Sequence, residues 1–176
     1  SNDEPIYDFS NHDREFVDLY HCLKGIMNKP EKRMFRQNIM ASYDKEMNPS
    51  TTHKYSLYKL NKKRVPELLY YTKKQPFFYG EEKFVISKTK GFNENAMIIT
   101  KFDFDTAHMY TNVKNKKEIA NIKSFLFSDY FKNHSQKWKD LDGYGFNDCL
   151  VYLPPFDKTK KWTNKSVEAF LTSFLE

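Results

Sequence analysis

The chain has 176 residues, 39% hydrophobic, 17% aromatic and 30% charged, with 29 Lys and Arg against 23 Asp and Glu. Sixteen Phe and twelve Tyr provide the material of a packed core and exclude a disordered chain, and no apolar run nears the ~18 residues of a membrane span. Two cysteines, Cys22 and Cys149, are too few for a disulfide framework or a Cys-rich zinc site, and Ser1-Asn2-Asp3-Glu4-Pro5 lacks a signal-peptide pattern.

The first dozen residues are polar and read as an arm. From Arg14 to Met27, the residues Phe16, Leu19, Tyr20, Leu23, Ile26 and Met27 recur every three or four positions, which predicts an amphipathic helix capped by Asn11 or Asp13. Pro30, at a first helical position, followed by Met34, Phe35, Ile39 and Tyr43, predicts a second helix. Met47-Asn48-Pro49-Ser50 is turn chemistry and sets an internal boundary. Beyond it Tyr55–Leu60 reads as a strand, and Arg64–Lys74 as a helix with Val65, Leu68 and Leu69 on its apolar side. Pro76–Tyr79 reads as a strand stopped by Gly80, and Glu82–Lys88 as a short helix. Ala96–Phe104 is the strongest strand, joined by a tight turn at Asp105-Thr106 to a hairpin partner at His108–Thr111. A helix over 116–131 buries Ile119, Ile122, Phe125 and Leu126. The predicted order, β-α-β-α-β-β-α, is an α/β fold with a mixed sheet flanked by helices and an N-terminal helical extension. Ile98, Ile122 and Leu126 are expected to be buried together. Cys149–Leu153, Trp162 and the stripe Val167, Phe170, Leu171, Phe174, Leu175 read as strand, strand, helix.

Gln75-Pro76-Phe77-Phe78, Ile86-Ser87-Lys88 and Ala96-Met97-Ile98-Ile99-Thr100-Lys101-Phe102-Asp103 resemble the second half of the non-catalytic thioredoxin-like domains of protein disulfide isomerases. The resemblance covers about 55–127. It implies an extension over 1–50, a thioredoxin-like domain over 51–131, and a βα extension or part of a second such unit over 132–176. It also implies a redox-inactive, chaperone-type domain that binds protein or peptide, with the lumen of the secretory pathway (endoplasmic reticulum) as its compartment. No Cys-x-x-Cys occurs, and Asn95-Ala96 stands where catalytic members place a cis-proline, so thiol–disulfide chemistry and a catalytic residue are not expected.

The partner-binding residues expected are Trp138, Tyr144, Phe146 and Trp162, because 138–146 is aromatic, glycine-punctuated and irregular. The competing reading is an aromatic clasp over the core. The net charge of +6 raises an alternative, a nucleic-acid module using Lys62, Lys63, Arg64, Lys73 and Lys74 with Tyr70 and Tyr71 for stacking. Asp103, Asp105 and His108 have the residue types of a weak metal site, but Asp105-Thr106 also suits a plain turn. Glu81-Glu82-Lys83, with Asp44 upstream, carries the Glu-x-Lys spacing of metal-dependent nucleases. No metal and no cofactor are expected.

Overall fold

The computed structural model describes residues 13–38, 44–88 and 93–176. These contain five α-helices and two small antiparallel sheets, a mixture of α and β. The chain divides into two compact units, one of residues up to Met34 with Ala120–Glu176, the other of Phe35–Ile119. The divisions thus fall at 34/35 and 119/120 instead of 50/51 and 131/132. The polar arm, Ile39 and Tyr43 lie outside the described residues.

The first unit is helical. Helix α1 (Arg14–Ile26) forms where its stripe predicts, and the Asp13 side chain accepts from the Glu15 and Phe16 amides to cap it. The predicted second helix is a single 3-10 turn, Pro30–Lys32, followed by buried Met34 and Phe35 in non-helical backbone. The helix predicted over 116–131 is two helices, α2 (Lys116–Leu126) and α3 (Asp129–Asp142). Ser128 divides them, its hydroxyl accepting the Phe131 amide as a new N-cap. Cys149–Leu153, predicted as a strand, lies largely in helix α4 (Phe146–Val151). An apolar run of five residues suits either structure, and Gly145 starts the helical turn here. Helix α5 (Asn164–Thr172) is closed by a capping box of Thr163 and Ser166. Phe125 stacks on Phe156 at 4.0 Å and meets Trp162 edge-on at 5.1 Å. No described helix is long and apolar enough to cross a membrane.

The second unit carries the strands. Strands β1 (Tyr55–Leu60) and β2 (Pro66–Thr72) form an antiparallel hairpin. The helix predicted over 64–74 is therefore β2. Its pairing slips between Leu57 and Tyr58, leaving Leu69 as an extra residue, and this bulge breaks the two-residue alternation. Val65, Leu68 and Leu69 thereby imitate a helical stripe. Pro66 sits at the first strand position, which tolerates the missing N–H.

The segment predicted as a helix at 82–88 is β3 (Lys83–Ser87), buried along its whole length. A strand covered on both faces shows no alternation. The strand predicted at Pro76–Tyr79 is replaced by a turn over 77–80, in which Phe78 takes φ +57° and Gly80 φ +75°. Strands β4 (Met97–Thr100) and β5 (His108–Asn112) both pair with β3, in the order β4-β3-β5. The hairpin expected between 96–104 and 108–111 is absent among the described ladders. After Thr100 the chain leaves the sheet and engages β1 instead: the Tyr58 amide donates to Asp103 O at 2.8 Å and the Asp105 amide to Tyr58 O at 3.1 Å. It then returns to the opposite edge of β3. All strand pairs in the two sheets are antiparallel, so the mixed sheet and its crossovers are not found there.

Val85, Phe104 and Tyr110 form a buried cluster, with Tyr58, Leu60, Phe78 and Ile98 packed against it. Ile98 is half-buried there, whereas Ile122 and Leu126 are fully buried in the first unit. Ile98 belongs to a different core from the one predicted. Ile98→Ala should cost about 1–2 kcal/mol in urea unfolding, below the range of a fully buried isoleucine.

Candidate functional site

Three of the four predicted partner-binding aromatics are core residues. Trp138 lies on α3 with 0% exposure, Trp162 and Phe146 are also buried, and only Tyr144 is open, at 73%. The irregular loop expected at 138–146 is the end of α3 up to Asp142, terminated by Gly143 in the left-handed region at φ +87°, and a short link to Phe146 at the start of α4. The Trp138 indole is held against Phe16, Tyr20 and His134, and its Nε1 donates to Asp148 Oδ2 at 2.7 Å. The Trp162 Nε1 donates to Asp157 O at 2.8 Å. Both indole donors are satisfied internally, the aromatic clasp.

In the second unit, by contrast, aromatics converge on the surface. Ser56, Tyr58, Tyr79, Gly80, Lys101 and Phe102 surround a pocket of about 250 Å³ with Asp103 in its lining. The rings of Tyr58 and Phe102 lie 4.5 Å apart, and Tyr55 meets Tyr79 edge-on at 5.0 Å. Phe102 is 46% exposed because β4 has ended and the chain is crossing towards β1.

A buried ion pair fixes this region. Lys83 Nζ lies 3.1 Å from Asp103 Oδ1, both side chains almost fully enclosed. It also donates to the carbonyls of Phe78, Glu81 and Lys101 at 3.0, 2.7 and 3.3 Å. Burial pulls the Lys83 ammonium below its ordinary value and pushes the Asp103 carboxyl above its own, and each partner's charge opposes this. Three carbonyl acceptors and a neighbouring carboxylate around one nitrogen favour the charged ammonium. The pair ties the 78–81 turn to the 101–103 segment, the two backbones that present Tyr79 and Phe102.

This arrangement also decides the metal readings. Asp103 is committed to Lys83, while Asp105 Oδ1 faces His108 Nδ1 at 3.4 Å, so the three candidate ligands are divided between two pairs. No cluster of three or more potential metal ligands occurs among the described residues. Lys83 of the Glu-x-Lys spacing is occupied by its carbonyls and carboxylate and is not placed to orient water.

The basic residues of the nucleic-acid alternative are separated along the hairpin. Lys62, Lys63 and Arg64 stand at its tip, Lys73 and Lys74 beyond the far end of β2, and Tyr70 is buried. The tip residues border a second pocket of about 400 Å³, where Lys59, Lys62 and Arg64 face Asn93, Asn95 and His108. Among these, Lys62 and Arg64 stood out in the sequence as part of a basic run. Tyr58, Tyr79 and Phe102 did not stand out as a group, because they lie in separate segments that only tertiary pairing brings together. No family model, curated protein or solved structure matches the chain.

Proposed function

We propose that the protein is a redox-inactive binding domain that takes an extended protein or peptide segment, with one apolar side chain of that segment seated between Tyr58, Tyr79 and Phe102. The observation that carries this reading is the meeting of these partly exposed rings around a pocket about the size of one side chain. Aromatic rings give large contact area at low entropy cost, and an enclosed central anchor is where binding energy concentrates. The binding site therefore moves from Trp138, Phe146 and Trp162 to the second unit. Redox inactivity is supported by the cysteines. Cys149 is fully buried, its thiol pushed up by desolvation, and Cys22 is 127 positions away in sequence by the residue numbers (149 − 22).

The thioredoxin-like reading of 51–131, and the secretory compartment that accompanies it, rest on the elements retained: β4, β5 and the helix from Lys116. That fold also needs a parallel strand pair, which the described sheets lack.

Titration with unstructured octapeptides carrying one Phe, Leu or Trp, followed by backbone amide NMR, tests the function. Shifts should centre on Tyr58, Tyr79, Gly80 and Phe102. Tyr79→Ala/Phe102→Ala should weaken binding at least tenfold, about 1.4 kcal/mol, with little change in Tm. Unchanged affinity in that variant, or shifts centred on Tyr144, would reject the site.

A further inference from the structure

We infer that the pocket at the tip of the β1–β2 hairpin binds a small phosphate-bearing ligand. Its walls come from three segments. Lys59, Leu60, Asn61, Lys62 and Arg64 form one, Asn93 and Asn95 the second, and Asp105, Ala107 and His108 the third, with Ser87 of β3 also in the lining. The volume of about 400 Å³ lies within the range of small-ligand sites.

The charge around this space is unbalanced. Three cations line it against one carboxylate, and no ion pair joins Lys59, Lys62 or Arg64 to an acid among the described residues. The carboxylate is already engaged, since Asp105 Oδ1 faces His108 Nδ1 and accepts the Ala107 amide at 3.3 Å. Three exposed like charges border one concave space, and a multivalent anion there meets several of them at once.

The backbone that carries Lys62 and Arg64 is also fixed in advance. The Asn61 side chain accepts from the Lys63 and Val65 amides at 2.9 and 3.0 Å. The Arg64 amide donates to Asn61 O at 2.8 Å, and the Asn61 amide to Val65 O at 3.0 Å. Four hydrogen bonds thus close a five-residue loop around Arg64, held at φ +63°. A loop that needs little ordering on binding loses little affinity to entropy. Arg64 contributes a planar fork suited to two oxygens at once, and the lysines contribute point charges. On the second wall the Asn93 carbonyl oxygen is taken by the Asn95 amide, which leaves the Asn93 amide group as its donor to a ligand. Several donors converging on one region match a tetrahedral group with several acceptor oxygens better than a planar carboxylate.

The ligand is small and not a nucleic-acid strand. No described aromatic residue lines this pocket to stack a base, and the other basic pair, Lys73 and Lys74, stands beyond the opposite end of β2. The site shares no lining residue with the aromatic pocket, so it stands or falls apart from the peptide-binding reading.

The test uses the full chain and inorganic pyrophosphate as probe, with calorimetry for affinity and amide NMR for the footprint. Pyrophosphate should shift Asn61, Lys62, Arg64, Asn95 and His108. Lys62→Gln/Arg64→Asn should weaken binding tenfold or more, asparagine being chosen because it tolerates positive φ. Lys73→Gln/Lys74→Gln should bind as the wild type does. Should the loop variant lose its fold, Lys59→Gln, on the regular strand, gives the same reading with a smaller loss. The inference is overturned if the two double variants weaken binding equally, or if millimolar pyrophosphate leaves the pocket signals unmoved. It is also overturned if oligo-dT binds more tightly than pyrophosphate with a footprint extending to Lys73 and Lys74.

Discussion

Trp138→Ala is expected to destabilise the protein by about 3–5 kcal/mol, the range for deleting a fully buried tryptophan. Trp138 has no exposed surface and packs against Phe16 and Tyr20 of α1, His134 one turn earlier on α3, and Tyr152 beyond α4. Three segments of the first unit lose a shared contact at once. The same change removes the indole donor from Asp148. That carboxyl is pushed up to about 6, by burial first and then by its neighbour Asp142, with the Trp138 hydrogen bond opposing the rise. Trp138→Phe separates packing from the hydrogen bond: it keeps most of the ring contact and should cost only about 1–2 kcal/mol. Without the donor, the Asp148 value in the folded state rises further above its unfolded 3.8, so the penalty of Trp138→Phe should grow as pH rises through about 6. Tyr144→Ala, at an open position, should stay within about 0.5 kcal/mol of wild type. Urea unfolding of the three variants near pH 5 and near pH 8 measures all of this. A Trp138→Ala variant that keeps wild-type stability would show that the indole is not part of the core.

The elements legible in the sequence were those decided by neighbours along the chain. Helix α1 carries both its stripe and its cap, Asp13, within one window, and β1 and β5 are short β-rich runs next to turn residues. Non-local pairing decided the others. Strand β2 looked helical because the Leu69 bulge shifts its apolar residues, and β3 because both of its faces are covered. Gly143 and Gly145 make the end of α3 resemble a loop, although the first caps the end of α3 and the second the start of α4. The order β4-β3-β5 depends on Asp103 and Asp105 hydrogen-bonding to Tyr58, 45 and 47 positions earlier by residue number (103 − 58, 105 − 58), which no local window contains. The candidate sites follow the same division. Lys62 and Arg64 stand out as a basic run, whereas Tyr58, Tyr79 and Phe102 become a site only after the sheets form.

His134 makes the first unit sensitive to acid. It is buried on α3 between Phe16, Phe131 and Trp138, and its Nε2 has no hydrogen-bond partner among the described residues. Burial, with the Lys137 ammonium assisting, lowers its value from 6.5 to about 3. The unfolded chain therefore takes up a proton near pH 6.5, while the folded chain refuses it until about pH 3. The associated stability is complete above 6.5 and is lost as pH falls through that interval, at most about 1.4 kcal/mol per unit and about 4–5 kcal/mol in all. Asp148 acts with the opposite sign between about 6 and 3.8, because its raised value makes the folded state bind the proton first. Comparison with His134→Leu cancels that contribution, since both proteins keep Asp148. The leucine variant, which removes an unpartnered buried nitrogen, should be close to wild type near pH 7. Near pH 4 it should be more stable than wild type by about 3 kcal/mol in urea unfolding. The His134 ring carbon signals should remain those of neutral imidazole at the same pH. A stability difference that does not change with pH, or an imidazole that titrates near 6.5, would place His134 in contact with solvent and remove the acid sensitivity attributed to it.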